Sequence, residues 1–255
     1  MNKKTSISSS SNAVNGVEPR IKIISLGSSG VGKSCVIKRY CEGRFVPKYI
    51  PTIGIDYGVK RVEVRAPTTV SSSSSSSHQA PTATAVGGKI SVRVNFWDMA
   101  GAEEYLEIRN EFYAAAEGVL LVYDVTDAAS FAALDGWLKE MEKYAHPQQR
   151  VTGVDAVIAR PAAKSLVVVV CANKADDAVD GMNNSNSFNN NSNSNNNMGS
   201  SGSQMKGKRR VVSEAEGRRW AEEHGFKYFE TSACTGMRVS EALETLFTDV
   251  VAAFM

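Results

Sequence analysis

The chain has 255 residues, which is enough for one large domain or two small ones. Hydrophobic residues make up 42% and charged residues 22%, a composition that excludes a wholly disordered chain. The 29 Lys and Arg residues nearly balance the 27 Asp and Glu residues, so a net charge of +2 provides no strong attraction to nucleic acid or to an anionic membrane. We therefore expect no nucleic-acid partner.

Polar low-complexity segments divide the chain. Residues 1–18 are rich in Ser and Asn, residues 66–88 contain seven consecutive serines, and residues 183–203 consist mostly of Asn and Ser. Such segments bury too little apolar surface to offset the entropy lost on ordering. We therefore predict a disordered N-terminal tail over 1–18 and a single domain over 19–255. The expected loop insertions cover about 66–88, 147–164 and 177–208.

Short β-branched runs alternate with segments of helical periodicity between the insertions. The predicted strands are Ile21–Leu26, Val59–Arg65, Ile90–Trp97, Val119–Asp124, Leu166–Ala172 and Lys227–Glu230. The predicted helices are Lys33–Glu42, Glu103–Ala116, Ser130–Tyr144, Ser213–Glu223 and Arg238–Phe254. The second and third strands have no helix between them and so form a hairpin. The pattern predicts an α/β fold: a six-stranded, mostly parallel sheet with one antiparallel edge strand, about five surrounding helices and ligands at the carboxyl ends of the strands.

A glycine-rich motif of the form G-x-x-x-x-G-K-S directly follows the first predicted strand. In that position its backbone N–H groups can bind phosphate at a helix N-terminus, and the motif predicts a bound nucleoside triphosphate. We expect Lys33 to reach the β- and γ-phosphates and the Ser34 hydroxyl to bind Mg²⁺. The alternative is a glycine-rich turn with a chance lysine. The predicted phosphate-binding residues are Gly27, Ser28, Ser29, Gly30, Val31, Gly32, Lys33 and Ser34.

Two later motifs indicate the base. Asn173, Lys174 and Asp176 form an N-K-x-D sequence after the fifth predicted strand. The Asp176 carboxylate can accept hydrogen bonds from the N1–H and 2-amino groups of guanine, a donor pair that adenine lacks, which disfavours an ATP-dependent P-loop kinase. After the last strand, the backbone N–H groups of Ser232 and Ala233 can meet the guanine oxygen. Taken alone, the tetrapeptide could be a polar strand end, but after a phosphate-binding motif it predicts GTP.

Three residues near the hairpin are predicted to sense the γ-phosphate. Asp98 is suited to bind Mg²⁺ indirectly, and Gly101 allows a backbone N–H to face the γ-phosphate. The Thr52 hydroxyl would complete the magnesium shell only when that phosphate is present, so its loop is expected to order and disorder with it. For Thr52 the alternative is an ordinary loop threonine. The predicted cofactors are GTP or GDP and Mg²⁺, with Ser34, Thr52 and Asp98 as the metal-site residues.

These elements, in this order, resemble the five signature elements of the Ras superfamily, and Ile53–Tyr57 is similar to the Rab switch signature. Other strings resemble the Rab-like RJL family, whose animal members often carry a C-terminal J domain. Those strings are Lys38–Cys41, Asp98–Gly101, Arg109–Tyr113 and Val170–Lys174. The resemblance implies the P-loop fold of a small monomeric GTPase, with effector and exchange-factor proteins acting through the switch regions. It also places Cys35 and Phe45 at the nucleotide, with Phe45 against guanine; the alternative for Phe45 is packing onto the first helix.

One departure from the Ras and Rab pattern concerns hydrolysis. Ala102 stands where most of these proteins have the glutamine that orients the attacking water, and a methyl group can neither position water nor stabilise transition-state charge. We expect very slow hydrolysis by a site in which Lys33, Thr52 and Gly101 are the catalytic residues. The alternatives are an essentially non-hydrolysing, GTP-loaded adaptor in signalling and a Rab-type regulator of vesicle traffic recruited by partners.

The expected location is cytoplasmic or nuclear. The sequence closes on Val250–Met255 without a C-terminal cysteine, so no prenylation and no direct lipid anchor are expected. The four cysteines contain no C-x-x-C pair and suit a reducing compartment. The basic run Lys206–Arg210 has two interpretations, a nuclear-import signal or a solvated flank of a loop.

Overall fold

The computed structural model describes residues 18–65, 88–145, 166–176 and 209–255. Apart from Glu18 and Gly88, the predicted tail and the three predicted insertions lie outside these ranges. The part of the basic run from 206 to 208 also lies outside them. Within the described residues, no helix is long and apolar enough to cross a membrane.

Six strands form one sheet, as predicted. They are β1 (Arg20–Leu26), β2 (Ile55–Arg65), β3 (Lys89–Met99), β4 (Gly118–Asp124), β5 (Val167–Asn173) and β6 (Lys227–Glu230). Their order in the sheet is β2-β3-β1-β4-β5-β6, with β2 and β3 antiparallel and the other pairs parallel. The fold predicted from the alternation of elements is therefore confirmed, and the hairpin supplies the antiparallel edge.

The helices follow the predicted order, with two corrections. They are α1 (Lys33–Glu42), α2 (Leu106–Tyr113), α3 (Ala128–Ala132), α4 (Leu134–Ala145), α5 (Glu214–Glu223) and α6 (Val239–Phe254). The predicted helix Glu103–Ala116 is a 3₁₀ turn (Glu103–Tyr105) followed by the shorter α2. The predicted helix Ser130–Tyr144 is α3 and α4, separated by Ala133. Helical periodicity did not reveal this break because apolar residues continue at helical spacing across it.

Apolar layers cover both faces of the sheet. On one face, β-strand residues such as Ile23 and Leu120 pack with Phe247 of α6 in a cluster that also contains Val36 of α1. On the other face, Leu121 belongs to a cluster with residues of α2, α4 and α5. Every residue of β4 is buried, because β4 lies in the middle of the sheet and apolar layers cover both of its faces. Because β1, β3, β4, β5 and β6 are parallel, their carboxyl ends all lie at one edge of the sheet, beside the loops that carry the predicted motifs.

Candidate nucleotide-binding site

A cleft of about 720 Å³ opens at the carboxyl ends of the parallel strands. Its lining brings together residues from every predicted motif: Ser29, Gly30, Gly32, Lys33, Ser34, Cys35, Phe45, Thr52, Gly101, Ala102, Asn173, Lys174, Asp176, Ser232 and Ala233. The other predicted site residues, Gly27, Ser28, Val31 and Asp98, do not line the cleft. They lie behind it and contact residues that do, as the following distances show.

Lys33 is a buried cation between the glycine-rich loop and the cleft. Its ammonium group donates hydrogen bonds to the carbonyl oxygens of Gly27 at 2.7 Å and Ser28 at 3.0 Å. Burial lowers the pKa of Lys33 to about 8, although the attraction of Asp98 acts in the opposite direction. Among the described residues, no carboxylate lies within ion-pair distance of this nitrogen. A buried cation that is held only by carbonyl groups favours an anion in the cleft.

The glycine-rich loop also depends on Asn173 at the end of β5. The Asn173 side-chain Nδ2 donates to the Val31 carbonyl at 2.8 Å, and its Oδ1 accepts from the Ala233 N–H at 3.1 Å. Gly32 is required beside it, because Gly32 has φ +100° and a Cβ there would lie 2.3 Å from Asn173 Nδ2. Asn173 therefore fixes the glycine-rich loop against the loop that follows β6.

The predicted guanine-contacting groups lie at one end of the cleft, and they differ in whether they already form hydrogen bonds within the protein. Asp176 is half-buried and lines the cleft, and within the described ranges no hydrogen bond or ion pair engages its carboxylate. The Ser232 N–H donates to the Met237 carbonyl at 3.0 Å, and the Ala233 N–H donates to Asn173. A guanine oxygen would therefore have to share the Ala233 donor, while Asp176 can accept directly.

Two residues that the motifs did not identify support this end of the cleft. Asp124, at the end of β4, forms an ion pair with Lys174 at 2.7 Å, and Lys174 also donates to the Gly30 carbonyl at 2.8 Å. Arg39 of α1 donates to the carbonyl groups of Ala233 and Cys234. The position of Asp124 at the carboxyl end of a predicted strand could have indicated it, whereas the bonds of Arg39 to backbone carbonyls leave no sequence signal.

The predicted magnesium-site oxygens converge. Ser34 Oγ and Thr52 Oγ1 are 3.0 Å apart, and the Thr52 hydroxyl lies 3.5 Å from Asp98 Oδ2. Burial raises the pKa of Asp98, while hydrogen bonds from Ser34 and from Ser25 act to lower it. No group of three or more His, Cys, Asp or Glu residues within the described ranges could hold a metal ion. These oxygen donors fit Mg²⁺, which usually binds few protein ligands and completes its shell with phosphate and water.

Gly101 packs directly on the glycine-rich loop. A Cβ at this position would lie 2.5 Å from the Gly27 carbonyl oxygen and 2.6 Å from the Ser29 nitrogen, so only glycine fits. The next residue, Ala102, has an extended backbone, and its carbonyl accepts a hydrogen bond from Arg109 at 2.6 Å. Arg109 belongs to a string that resembles the RJL family, but nothing in the sequence indicated this contact with the Ala102 carbonyl.

The segment before Thr52 reaches over the cleft. Tyr49 is 64% exposed, and its hydroxyl lies 3.1 Å from the Ser29 hydroxyl. Phe45 lines the cleft and also packs against the apolar core that includes residues of α1. The contact with the core agrees with packing onto α1, and the contact of Phe45 with guanine stays a prediction.

Apolar side chains are exposed beside the cleft. Ile50 is 68% and Ile53 79% exposed. On the neighbouring hairpin, the Trp97 ring lies 4.7 Å from the rings of both Tyr57 and Phe112. Exposed apolar groups of this kind, next to a ligand cleft, favour contact with a protein partner.

Arg210, the last residue of the predicted basic run, is not an exposed cation. It forms a bidentate ion pair with Glu230, at 2.6 Å and 3.0 Å, and the Arg210 side chain is 9% exposed. This side chain therefore does not fit a surface import signal.

Comparisons with known proteins agree with the motifs. The sequence profile of the Ras family matches residues 22–252. DnaJ homolog subfamily C member 27 from Danio rerio is 40% identical over 231 residues, which cover 91% of this chain and 61% of that protein. The human protein of the same name is 40% identical over 232 residues, covering 91% and 62%, and the Xenopus laevis protein 27-B is 38% identical with the same coverage. The chain thus spans about three fifths of the length of these relatives.

Proposed function

This chain belongs to the Ras family, and we propose that it is a guanine-nucleotide switch with very slow intrinsic hydrolysis of GTP. The DnaJ name of its relatives agrees with the sequence strings that resemble the Rab-like RJL family. One observation carries the proposal. One cleft is lined by the buried ammonium of Lys33, which carbonyl groups hold, by the hydroxyls of Ser34 and Thr52, and by the carboxylate of Asp176. These groups are suited to bind phosphate, Mg²⁺ and guanine, respectively.

Each part of the nucleotide has a proposed protein partner. The phosphates lie against the glycine-rich loop with Lys33, and guanine is recognised by Asp176 and by the shared Ala233 N–H. Ser34 and Thr52 bind Mg²⁺ while Asp98 orients this site from behind. When bound, Mg²⁺ neutralises charge on the β- and γ-phosphates. The protein contributes position and electrostatics, which are the main catalytic elements in phosphoryl transfer.

Switching rests on the two groups expected to need the γ-phosphate. Thr52 lies on the loop between α1 and β2 that also carries Ile50 and Ile53. Gly101 begins the segment that leads into α2. Loss of the γ-phosphate removes a partner from both, which changes the exposed apolar surface between them. Effector and exchange-factor proteins are proposed to bind this surface.

The slow rate follows from Ala102. Its methyl group offers no hydrogen-bond donor or acceptor to a water molecule at the γ-phosphate. The nearby Glu104 lines the cleft, but its carboxylate is repelled by phosphate and is a poor substitute. Loss of one preorganised transition-state contact typically costs about 10²–10³ in rate. Ala102 therefore also favours the second candidate function, a GTP-loaded adaptor that does not cycle by hydrolysis.

The test begins with the nucleotide that is released from the purified protein. Mostly GTP supports the adaptor, and mostly GDP supports a cycling switch. Single-turnover hydrolysis is then compared for the unchanged protein, Ala102→Gln and the control Ala102→Leu, which adds bulk without an amide. We expect at least a tenfold increase in rate for Ala102→Gln alone. Equal rates in all three would refute the role given to position 102, and no binding of GDP or GTP with Mg²⁺ in calorimetry would refute the proposed function.

A further inference from the structure

A buried ion pair joins α2 to α4 beside the cleft. Arg109 of α2 is 3% exposed, and its Nε and Nη2 donate to the two carboxylate oxygens of Glu140 at 2.5 Å and 2.8 Å. Tyr113 donates to the same carboxylate at 2.7 Å, and the Trp137 ring lies 4.8 Å from the guanidinium carbon. The plane of the guanidinium group is therefore fixed on several sides.

The remaining nitrogen of Arg109 is directed to the segment that contains Gly101. Its Nη1 donates to the Ala102 carbonyl at 2.6 Å and lies 3.4 Å from the Ala100 carbonyl. The two carbonyl groups flank Gly101. Because Gly101 also packs on the backbone of the glycine-rich loop, its peptide group is held from both sides.

General stability is a weak explanation for this pair. Removing two charges from water costs free energy that their attraction often fails to recover, so a buried pair of this kind is better explained by the geometry it imposes. The planar fork of arginine suits that role, since it can bind a carboxylate with two nitrogens and leave the third for a carbonyl. Arg109 uses this third nitrogen on the backbone around Gly101.

We propose that Arg109, clamped by Glu140, is a positioning residue that holds the Gly101 N–H toward the γ-phosphate and so sets the affinity for GTP relative to GDP. The inference rests on the proposed function. Preorganisation reduces the ordering cost that γ-phosphate binding would otherwise incur. The contacts of Arg109 also keep Ala100–Ala102 in place. The conformational change between the two nucleotide states is therefore confined to the Thr52 loop and to residues 103–105.

The test compares affinities for GDP and for a non-hydrolysable GTP analogue, both with Mg²⁺, in Arg109→Lys and Glu140→Gln. Both variants keep most of the side-chain volume, and Arg109→Lys keeps the charge. The matched control is Arg210→Lys, which alters another largely buried, bidentate Arg–Glu pair and does not touch residues 100–102. Thermal unfolding of each variant is measured in parallel.

We expect both variants to weaken binding of the GTP analogue at least tenfold and binding of GDP less than threefold, while Arg210→Lys leaves the ratio of the two affinities unchanged. Equal weakening of both nucleotides, or an unchanged ratio, would overturn the positioning role and leave the nucleotide switch intact. A wild-type protein that binds neither nucleotide would instead overturn the proposed function and, with it, this inference. Loss of folding in Glu140→Gln leaves Arg109→Lys to decide the result.

Discussion

Removal of the Arg39 side chain should accelerate the release of guanine nucleotide. Arg39 lies in the last turn of α1, and its Nε donates to the Ala233 carbonyl at 2.8 Å. Its other nitrogens donate to the carbonyls of Gly43, at 3.0 Å, and Cys234. The side chain thus attaches the proposed guanine-binding loop to α1, the helix that follows the glycine-rich loop.

The magnitude follows from the acceptor that Arg39→Ala would leave without its donor. Ala233 is only 4% exposed, and a buried carbonyl that loses its hydrogen bond costs about 1–3 kcal/mol. Cys234 is exposed, so water can replace the donor there at little cost. When this free energy is lost from the nucleotide-bound state, the dissociation constant and the release rate of the nucleotide rise roughly 5- to 150-fold.

The assay is the release of fluorescently labelled GDP into excess unlabelled GDP, followed by stopped flow. Arg219→Ala is the control, because Arg219 of α5 does not line the cleft and its contact with Glu223 is long, at 3.9 Å, and largely exposed. Exposed pairs of this type contribute little, so its rate should stay near that of the unchanged protein. Release from Arg39→Ala at the rate of the Arg219→Ala control would show that Arg39 does not stabilise the bound nucleotide.

Two further predictions concern the cleft, and a third concerns the reactivity of the cysteines. Gly101→Ala places a Cβ 2.5 Å from backbone of the glycine-rich loop, an overpacking cost of about 1–3 kcal/mol, and should weaken the GTP analogue more than GDP. Equal affinity losses in calorimetry would argue against close approach at the γ-phosphate. Asp176→Asn exchanges an acceptor for a donor and should weaken GDP about 10²-fold while improving xanthosine diphosphate; an unchanged preference would exclude Asp176 from base recognition. Burial raises the pKa of Cys171 to about 12, so alkylation at pH 8 should modify the exposed Cys234 and spare Cys171 until unfolding. Peptide mass spectrometry reports both sites, and rapid labelling of Cys171 in the folded protein would contradict the structure.

Local patterns predicted most of the fold. The helix Lys33–Glu42 and the strand Lys227–Glu230 have the predicted bounds, because one follows a glycine-rich turn and the other is a short run between polar segments. The second strand begins earlier than predicted, at Ile55, since pairing with β3 extends it across residues that have no β-branched pattern. The start of α2 also differs from the prediction, because residues 103–105 form a 3₁₀ turn and α2 begins only at Leu106.

The amino-acid sequence alone shows which chemical groups are present and in what order: a glycine-rich loop with Lys33, an N-K-x-D motif with Asp176, and Ala102 where related proteins usually have a glutamine. Local spacing is enough for this, because each motif is a single turn at the end of a strand. The contacts that hold these turns together form only when the chain has folded. The Nδ2 of Asn173 bonds to Val31 across 142 residues of sequence, and Arg39 bonds to Ala233 across 194. Both acceptors are backbone carbonyls, which every residue carries, so no side-chain pattern could have identified them before the chain had folded.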